Sequence, residues 1–488
     1  MIIALLSCVF HIHPHLLRAS EYSPPGLYDT EYAVLENGLQ VVQNVQEGAH
    51  NVSFRLVVKV GTLDFPHGKR EIPHFLEHLL FTGTSQHTEE ELEKIVKSYG
   101  GNWNASTNDR TTVFEMDLYS GYVSRGLNLF HEIVTDSQME PEKVEVTRVV
   151  LLREMGGRPS KLRKWLYRRG IGKSAFSKAY EALLPGERYR RDRLETAEGI
   201  SREEIRAAYT RYYVPRNMIL IAVGEFDSGT LMKRIERTFG KMEPGNAYRG
   251  GEEIPPYPAE PGEVTGTFSP IVDTDATVGL LFRTEGKGSP DYPALWVLGE
   301  YLDRRMYEFL RIQKGLAYSP GAWFSAKKNY GIFHVLADVD IGKMDEALSA
   351  TWKVIDEVSD GKVKPEEFKK VKSGLLLGMT RAYQTNAEKA DYYAKVYYEA
   401  ERNERFVNDE DLLERVSPEE VVSAAKKYFK RGRAISFREK PTVTYTQLIS
   451  LIMFFIVFVV AFILFIFRRR RRKKRRRKGL EVDGLFKR

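Results

Sequence analysis

The sequence predicts an α+β fold: two copies of one sheet-plus-helices domain, followed by a single transmembrane helix. Three observations carry that prediction. Strand-like and helix-like segments intermix without the regular alternation of a doubly wound sheet. A segment of the first half recurs in the second at a fixed offset. Residues 448–467 run for 20 positions with no charge and only Ser450 polar.

Taken in order, the first half opens with a hairpin pattern, YAVLENGLQVVQNV, turning at Asn37-Gly38. An apolar strand over 52–60 follows, then helices over 73–81 and 89–99, the second stopped by Gly100-Gly101. A strand pair over 104–118, helices over 123–135 and 141–154, and a buried strand over 218–223 after Pro215 complete the unit. Residues 241–262, with five prolines, read as a linker between a first domain (28–240) and a second (263–440). The repeat is clearest between MEPEKVEVTRVVLLREM (139–155) and VKPEEFKKVKSGLLLGM (363–379). There Pro141 meets Pro365, Glu142 meets Glu366 and Met155 meets Met379, at an offset of 224. Where the first copy has Glu154, the second has Gly378.

The chain of 488 residues is 42% hydrophobic with one cysteine, which excludes a disordered, collagen-like or disulfide-built protein. Its net charge of +8 is misleading, because residues 468–488 alone carry +11 and the remaining 467 residues sum to −3. The body therefore lacks the basic surface of a nucleic-acid binder, and no nucleic acid is expected as partner. The uninterrupted basic run, 468–478, has no interleaved aromatics of the kind that stack on bases.

At 1.5 Å per residue, residues 448–467 span about 30 Å as a helix, the thickness of a bilayer core. The basic tail, 468–488, directly follows, so the positive-inside rule predicts a single-pass membrane protein with its C-terminus cytoplasmic and its body extracytoplasmic. The tail would also attract anionic lipids. An exported body needs a signal, and residues 1–20, with the apolar run IIALLSCVF, are the candidate signal peptide. Cys8 and the tract His11, His13, His15 fall within that segment and are discounted as a metal site.

The chemistry centres on His74-Phe75-Leu76-Glu77-His78. Residues four apart on a helix differ by about 400°, so both imidazoles project from one face with Glu77 beside them. Zinc takes neutral imidazole nitrogens at about 2.1 Å in tetrahedral geometry. An adjacent carboxylate can accept a proton from a water that the metal acidifies. This order inverts H-E-x-x-H. Chance would assemble it on the order of once per hundred such chains. Glu154 is the candidate third ligand, because a carboxylate in VVLLREM is awkward in a core unless it binds something. The second half lacks both the HxxEH and the acid.

HFLEHLLFTGT, with Glu154 following 76 residues after His78, closely resembles the pitrilysin-type inverzincin zinc peptidases. That is the family of insulin-degrading enzyme and the mitochondrial processing peptidase. The resemblance runs over about residues 30–435, through GGNWNAST (100–107), YYVPRNMILIAVGEF (212–226) and LRIQKGLAYSPG (310–321). It implies one zinc ion per chain on His74, His78 and Glu154, with Glu77 as general base. It implies that Asn104 and Ala105 lie on an edge strand that holds an extended peptide by backbone pairing. Arg311 and Tyr318 would bind substrate and stabilise the developing oxyanion.

Four such domains enclose a chamber in this family, so the resemblance implies that this chain is half of a clamshell. A homodimer is implied, with the Arg311–Tyr318 segment of one protomer facing the zinc site of the other; a heterodimer with a paralogue is the alternative. One departure stands out. The family usually carries a glutamate seven residues before the ligand, where this chain has Thr147. Glu145 points to the opposite side of the helix and cannot replace it. Loss of such an outer carboxylate costs roughly 10–100-fold in metal affinity or activity.

The reading is a membrane-anchored zinc metalloendopeptidase that hydrolyses peptides or unfolded polypeptide segments. The alternative is a catalytically weak or inactive membrane-tethered peptide-binding scaffold of the same fold.

Overall fold

The computed structural model describes residues 30–485 except 156–159, 163–164, 166–172, 186–196, 249, 251–261, 382 and 404–408. The candidate signal peptide and much of the expected linker lie outside the described residues.

The first half builds a six-stranded sheet from β1 (Glu31–Val34), β2 (Gln40–Val45), β3 (Asn51–Val58), β4 (Asn102–Thr107), β5 (Thr112–Tyr119) and β6 (Met218–Gly224). Their order is β1-β2-β6-β3-β5-β4. The β1–β2 hairpin turns at Gly38, whose φ of +87° is left-handed backbone that favours glycine. A side chain there would also strike Arg216. β6, the chain's return from far along the sequence, is buried at all seven positions. It pairs parallel to β2 and antiparallel to β3. Being buried on both faces explains why MILIAVG is a continuous apolar run rather than an alternating one.

On one face lie α1 (Ile72–Leu79), α2 (Glu89–Ser98), α3 (Val123–Thr135), α4 (Pro141–Glu154), α6 (Arg202–Tyr212) and α7 (Ser228–Arg237); α5 (Ala175–Leu183) belongs elsewhere. Phe54, Leu56, Phe75, Phe114, Phe130 and Leu151 fill the core between sheet and helices. α2 starts where Thr88 and Glu91 close a reciprocal capping box.

The second half repeats the plan with β7 (Gly262–Asp273), β8 (Asp275–Thr284), β9 (Gly321–Ala326), β10 (Gly331–Asp340) and β11 (Ile435–Thr444), ordered β7-β11-β8-β10-β9. This is the first sheet's order without β1, and the β7–β11 pair is parallel just as β2–β6 is. Its helices are α8 (Tyr292–Met306), α9 (Met344–Ser359), α10 (Pro365–Arg381), α11 (Asn386–Asn403), α12 (Asp409–Arg415) and α13 (Pro418–Tyr428). The two mixed sheets with helical layers are the α+β duplication read from the sequence.

The halves exchange helices. α11 of the second half covers the outer face of the first sheet, with Ala390, Tyr393 and Tyr397 against Val42, Val57, Ile219 and Ile221. Reciprocally, α5 of the first half places Ala175, Ala179 and Leu183 on Leu281, Ile332, Ile435 and Phe437 of the second sheet. Fully burying each Val, Leu, Ile or Phe among them is worth about 1.5–3 kcal/mol, and each alanine methyl less. The exchange therefore fixes the halves to each other. Arg55 of β3, 2% exposed, adds a polar rivet: it donates to Asp117 Oδ1 at 2.9 Å in its own half and to Asp391 Oδ1 at 2.5 Å on α11.

α14 (Tyr445–Leu485) follows β11 directly and continues through the basic run as one 41-residue helix. Tyr445–Arg471 is long and apolar enough to cross a membrane, and its most apolar stretch has no buried share.

Candidate metal centre

α1 is amphipathic by construction. Ile72, Phe75, Leu76 and Leu79 are buried, and Pro73 sits in the first turn, where its missing N–H costs no helical bond. The anchored apolar face leaves His74, Glu77 and His78 on the opposite, partly open side. The two imidazole rings stand 5.1 Å apart, centroid to centroid.

α4 lies against α1 and is held there by Arg148. Its guanidinium sits 5.1 Å over the Phe75 ring of α1. It also donates to the carbonyls of Ala197 and Ile200 at 2.5 and 2.8 Å. Val144, Thr147, Leu151 and Leu152 are buried along the same helix. Glu154, the last residue of α4, is consequently delivered to the two histidines. Its Oε2 is 3.3 Å from His74 Nε2 and 3.7 Å from His78 Nε2. Ligands at about 2.1 Å from one tetrahedral ion stand about 3.4 Å apart, so the donor set fits zinc. Donor atoms of His74, Glu77 and His78 also lie within 4.8 Å of one another. Glu154, close to both imidazole nitrogens, fits the third-ligand position, and Glu77 lies with the two histidines on α1. Among the described residues, no second group of this kind occurs.

Glu71, which the sequence reasoning passed over, lies directly behind the centre. Only 1% exposed, its Oε2 is 3.0 Å from His74 Nδ1. The signal was its place three residues before His74, a spacing that brings side chains together on a helix. Burial acts to lower the His74 pKa, but the Glu71 hydrogen bond and the charges of Glu77, Glu71 and Glu154 outweigh it and raise the value. Thr147 is buried, and Glu145 turns outward to pair with Arg148 at 3.1 Å, as its position on the helix predicts.

β4 is the free edge of the first sheet and neighbours α1. Asn104 is exposed and Ala105 half-buried on it. Beside this edge opens a groove of about 870 Å³ lined by Phe81, Gly83, His87, Trp103, Asn104 and Lys143. Trp103 is fixed there by a 2.8 Å bond to Glu93 Oε2 and by the Phe81 ring 4.7 Å away.

Arg311 and Tyr318 meet each other: Arg311 Nη1 donates to the Tyr318 carbonyl at 2.5 Å. The Tyr318 hydroxyl pairs with Asp340 Oδ1 at 3.1 Å. Arg311 rides on a π-helical turn, Tyr307–Gln313, that continues α8. These bonds stay inside the second half and do not join the histidine cluster. Both side chains are exposed.

The sequence pattern described as Insulinase (Peptidase family M16) matches residues 40–176, and that of the Peptidase M16 inactive domain matches residues 199–375. An "Uncharacterized zinc protease" of Rickettsia bellii is 22% identical over 408 residues, covering 81% of this chain and 94% of its own. Among solved structures, a protease from Helicobacter pylori superposes with a TM-score of 0.71 at 19% identity, covering 84% of this chain and 99% of that one. The periplasmic protease PqqL from Escherichia coli gives 0.65 at 20% identity, covering 85% of this chain but 48% of that one. With both family patterns present in order and the same fold in these structures, the chain belongs to peptidase family M16.

Proposed function

We propose that this protein is a membrane-anchored zinc metalloendopeptidase acting on peptides or unfolded segments. The observation that carries the reading is the convergence of His74, His78 and Glu154 at tetrahedral ligand spacing beside a free strand edge. His74, His78 and Glu154 would hold the ion. Bound zinc supplies Lewis acidity, polarising a peptide carbonyl and acidifying water. Glu77 accepts the proton of the attacking water and returns it to the leaving amine nitrogen. An extended substrate adds to β4 at Asn104 and Ala105 by main-chain bonds. Arg311 and Tyr318 bond each other and Asp340 within the second half, which supports a dimer, homodimeric or with a paralogue, in which a partner supplies them. That PqqL is about twice as long as its match to this chain supports the same arrangement. α14 supplies the anchor, with the body on the extracytoplasmic side.

The test is zinc content and cleavage of unfolded peptides by the full chain in detergent, beside Glu77→Gln. The reading expects zinc in both proteins and a turnover about 10²–10⁴-fold lower in the variant. A wild type that holds zinc and peptide without cleaving would make it a scaffold.

A further inference from the structure

We infer that Glu71 is the positioning residue for His74, taking over the outer-carboxylate role that Thr147 cannot fill. The inference rests on the reading that zinc sits on His74, His78 and Glu154. A carboxylate is almost never fully buried without a partner, because desolvating its charge is costly. Glu71 is 1% exposed, and its Oε2 meets His74 Nδ1 at 3.0 Å. The opposite nitrogen of the same ring, Nε2, faces Glu154 at 3.3 Å.

One ring is thus held at both ends. A carboxylate at Nδ1 keeps the proton there and leaves the Nε2 lone pair for the metal, which fixes both tautomer and ring rotation. The support is short and stiff. Glu71 caps α1, and its carbonyl accepts from Phe75 N at 2.8 Å, so carboxylate and ring share one helical turn. On α4, by contrast, the buried Thr147 brings a hydroxyl and no carboxylate. The charge that faces His74 Nδ1 is therefore carried by the N-cap residue of the helix that bears the histidines.

The experiment measures zinc dissociation by chelator competition on the full chain in detergent, for wild type, Glu71→Gln, Glu71→Ala and Glu71→Ala/Thr147→Glu. Melting of the metal-free proteins and the absorption spectrum of the cobalt-loaded ones accompany it. Glu71→Ala should bind zinc about 10–100-fold more weakly. Glu71→Gln, which keeps an acceptor for the Nδ1 proton, should lose less. Adding Thr147→Glu should recover part of the loss, which a purely structural role for Glu71 would not allow. The cobalt spectrum of the Glu71 variants should change as the His74 ring reorients.

Zinc affinity of Glu71→Ala within about threefold of wild type, well short of an outer-shell loss, would overturn the inference. So would a lowered melting temperature with unchanged affinity. If Glu71→Ala does not fold, Glu71→Gln decides, and an affinity and cobalt spectrum identical to wild type would overturn it. A wild type that binds no zinc would defeat the peptidase reading as well; unaffected Glu71 variants of a zinc-binding wild type would defeat this inference alone.

Discussion

Glu154 Oε2 stands 3.7 Å from His78 Nε2, although 76 residues separate the two along the chain. The approach is set by the seating of α4 on α1, through Arg148 and the buried leucines, rather than by contacts of Glu154 itself, whose side chain is 46% exposed. Glu154→Gln keeps the shape and removes the charge. Zinc affinity should fall beyond the roughly 100-fold that marks loss of an outer-shell partner. Melting of the metal-free protein should stay put, and chelator competition beside thermal denaturation reads both.

The limits of α3 and α4 and the pairing of the two halves were legible because local chemistry marks them. Pro141 starts a helix, and the same pattern recurs from Pro365. The shared face of the two histidines was legible from their i,i+4 spacing; Glu154 does approach them, but the expectation that it sits in a core fails, because its side chain is 46% exposed at the end of α4. The helix exchange was not, because α11 and the strands β2 and β3 that it covers are more than 300 residues apart and nothing local in α11 says which sheet it packs on. Glu71 was hidden for another reason. In KREIPH it is one charge among several, and only tertiary packing distinguishes a buried carboxylate from a solvated one.

Arg55 is nearly inaccessible and joins Asp117 of one half to Asp391 of the other. Removing Arg55 empties a buried site and leaves Asp117, 26% exposed, and Asp391, 53% exposed, without their partner; solvent screens both in part, so the cost is about 1–3 kcal/mol. Arg55→Ala should therefore lower the melting temperature, and Arg55→Met, which fills the space while solvent reaches both aspartates, should recover part of the loss. If Arg55→Ala melts like wild type, the arginine does not join the halves.

Tyr318 offers a pH test of its proposed role. Its phenol pKa is raised, first by the hydrogen bond to Asp340, then by the charges of Asp340 and Asp275, against the opposing Lys343. A carboxylate favours the protonated phenol, so Asp340→Asn should bring the value back down toward 10. If the Tyr318 proton stabilises the oxyanion, the alkaline fall in kcat should then move to lower pH. An unchanged alkaline limb in Asp340→Asn would separate Tyr318 from the chemistry.

The basic run and the apolar stretch are continuous in α14, so the charges cannot swing away from the end of the proposed membrane span. Each lysine or arginine near an anionic leaflet is worth about 1 kcal/mol. Eleven of them, residues 468–478, should hold that end on the cytoplasmic side far more firmly than thermal energy can undo. Replacing the run with serine and glutamine keeps the span but removes the bias. In protease-protection measurements on intact cells, the wild-type body should be cleaved from outside as a single population. The variant should split into protected and accessible fractions. A wild-type body that is digested once the cytoplasm alone is opened to protease, with other membranes sealed, would reverse the proposed orientation, and a variant that behaves like wild type would show that the span, not the charge, sets the direction.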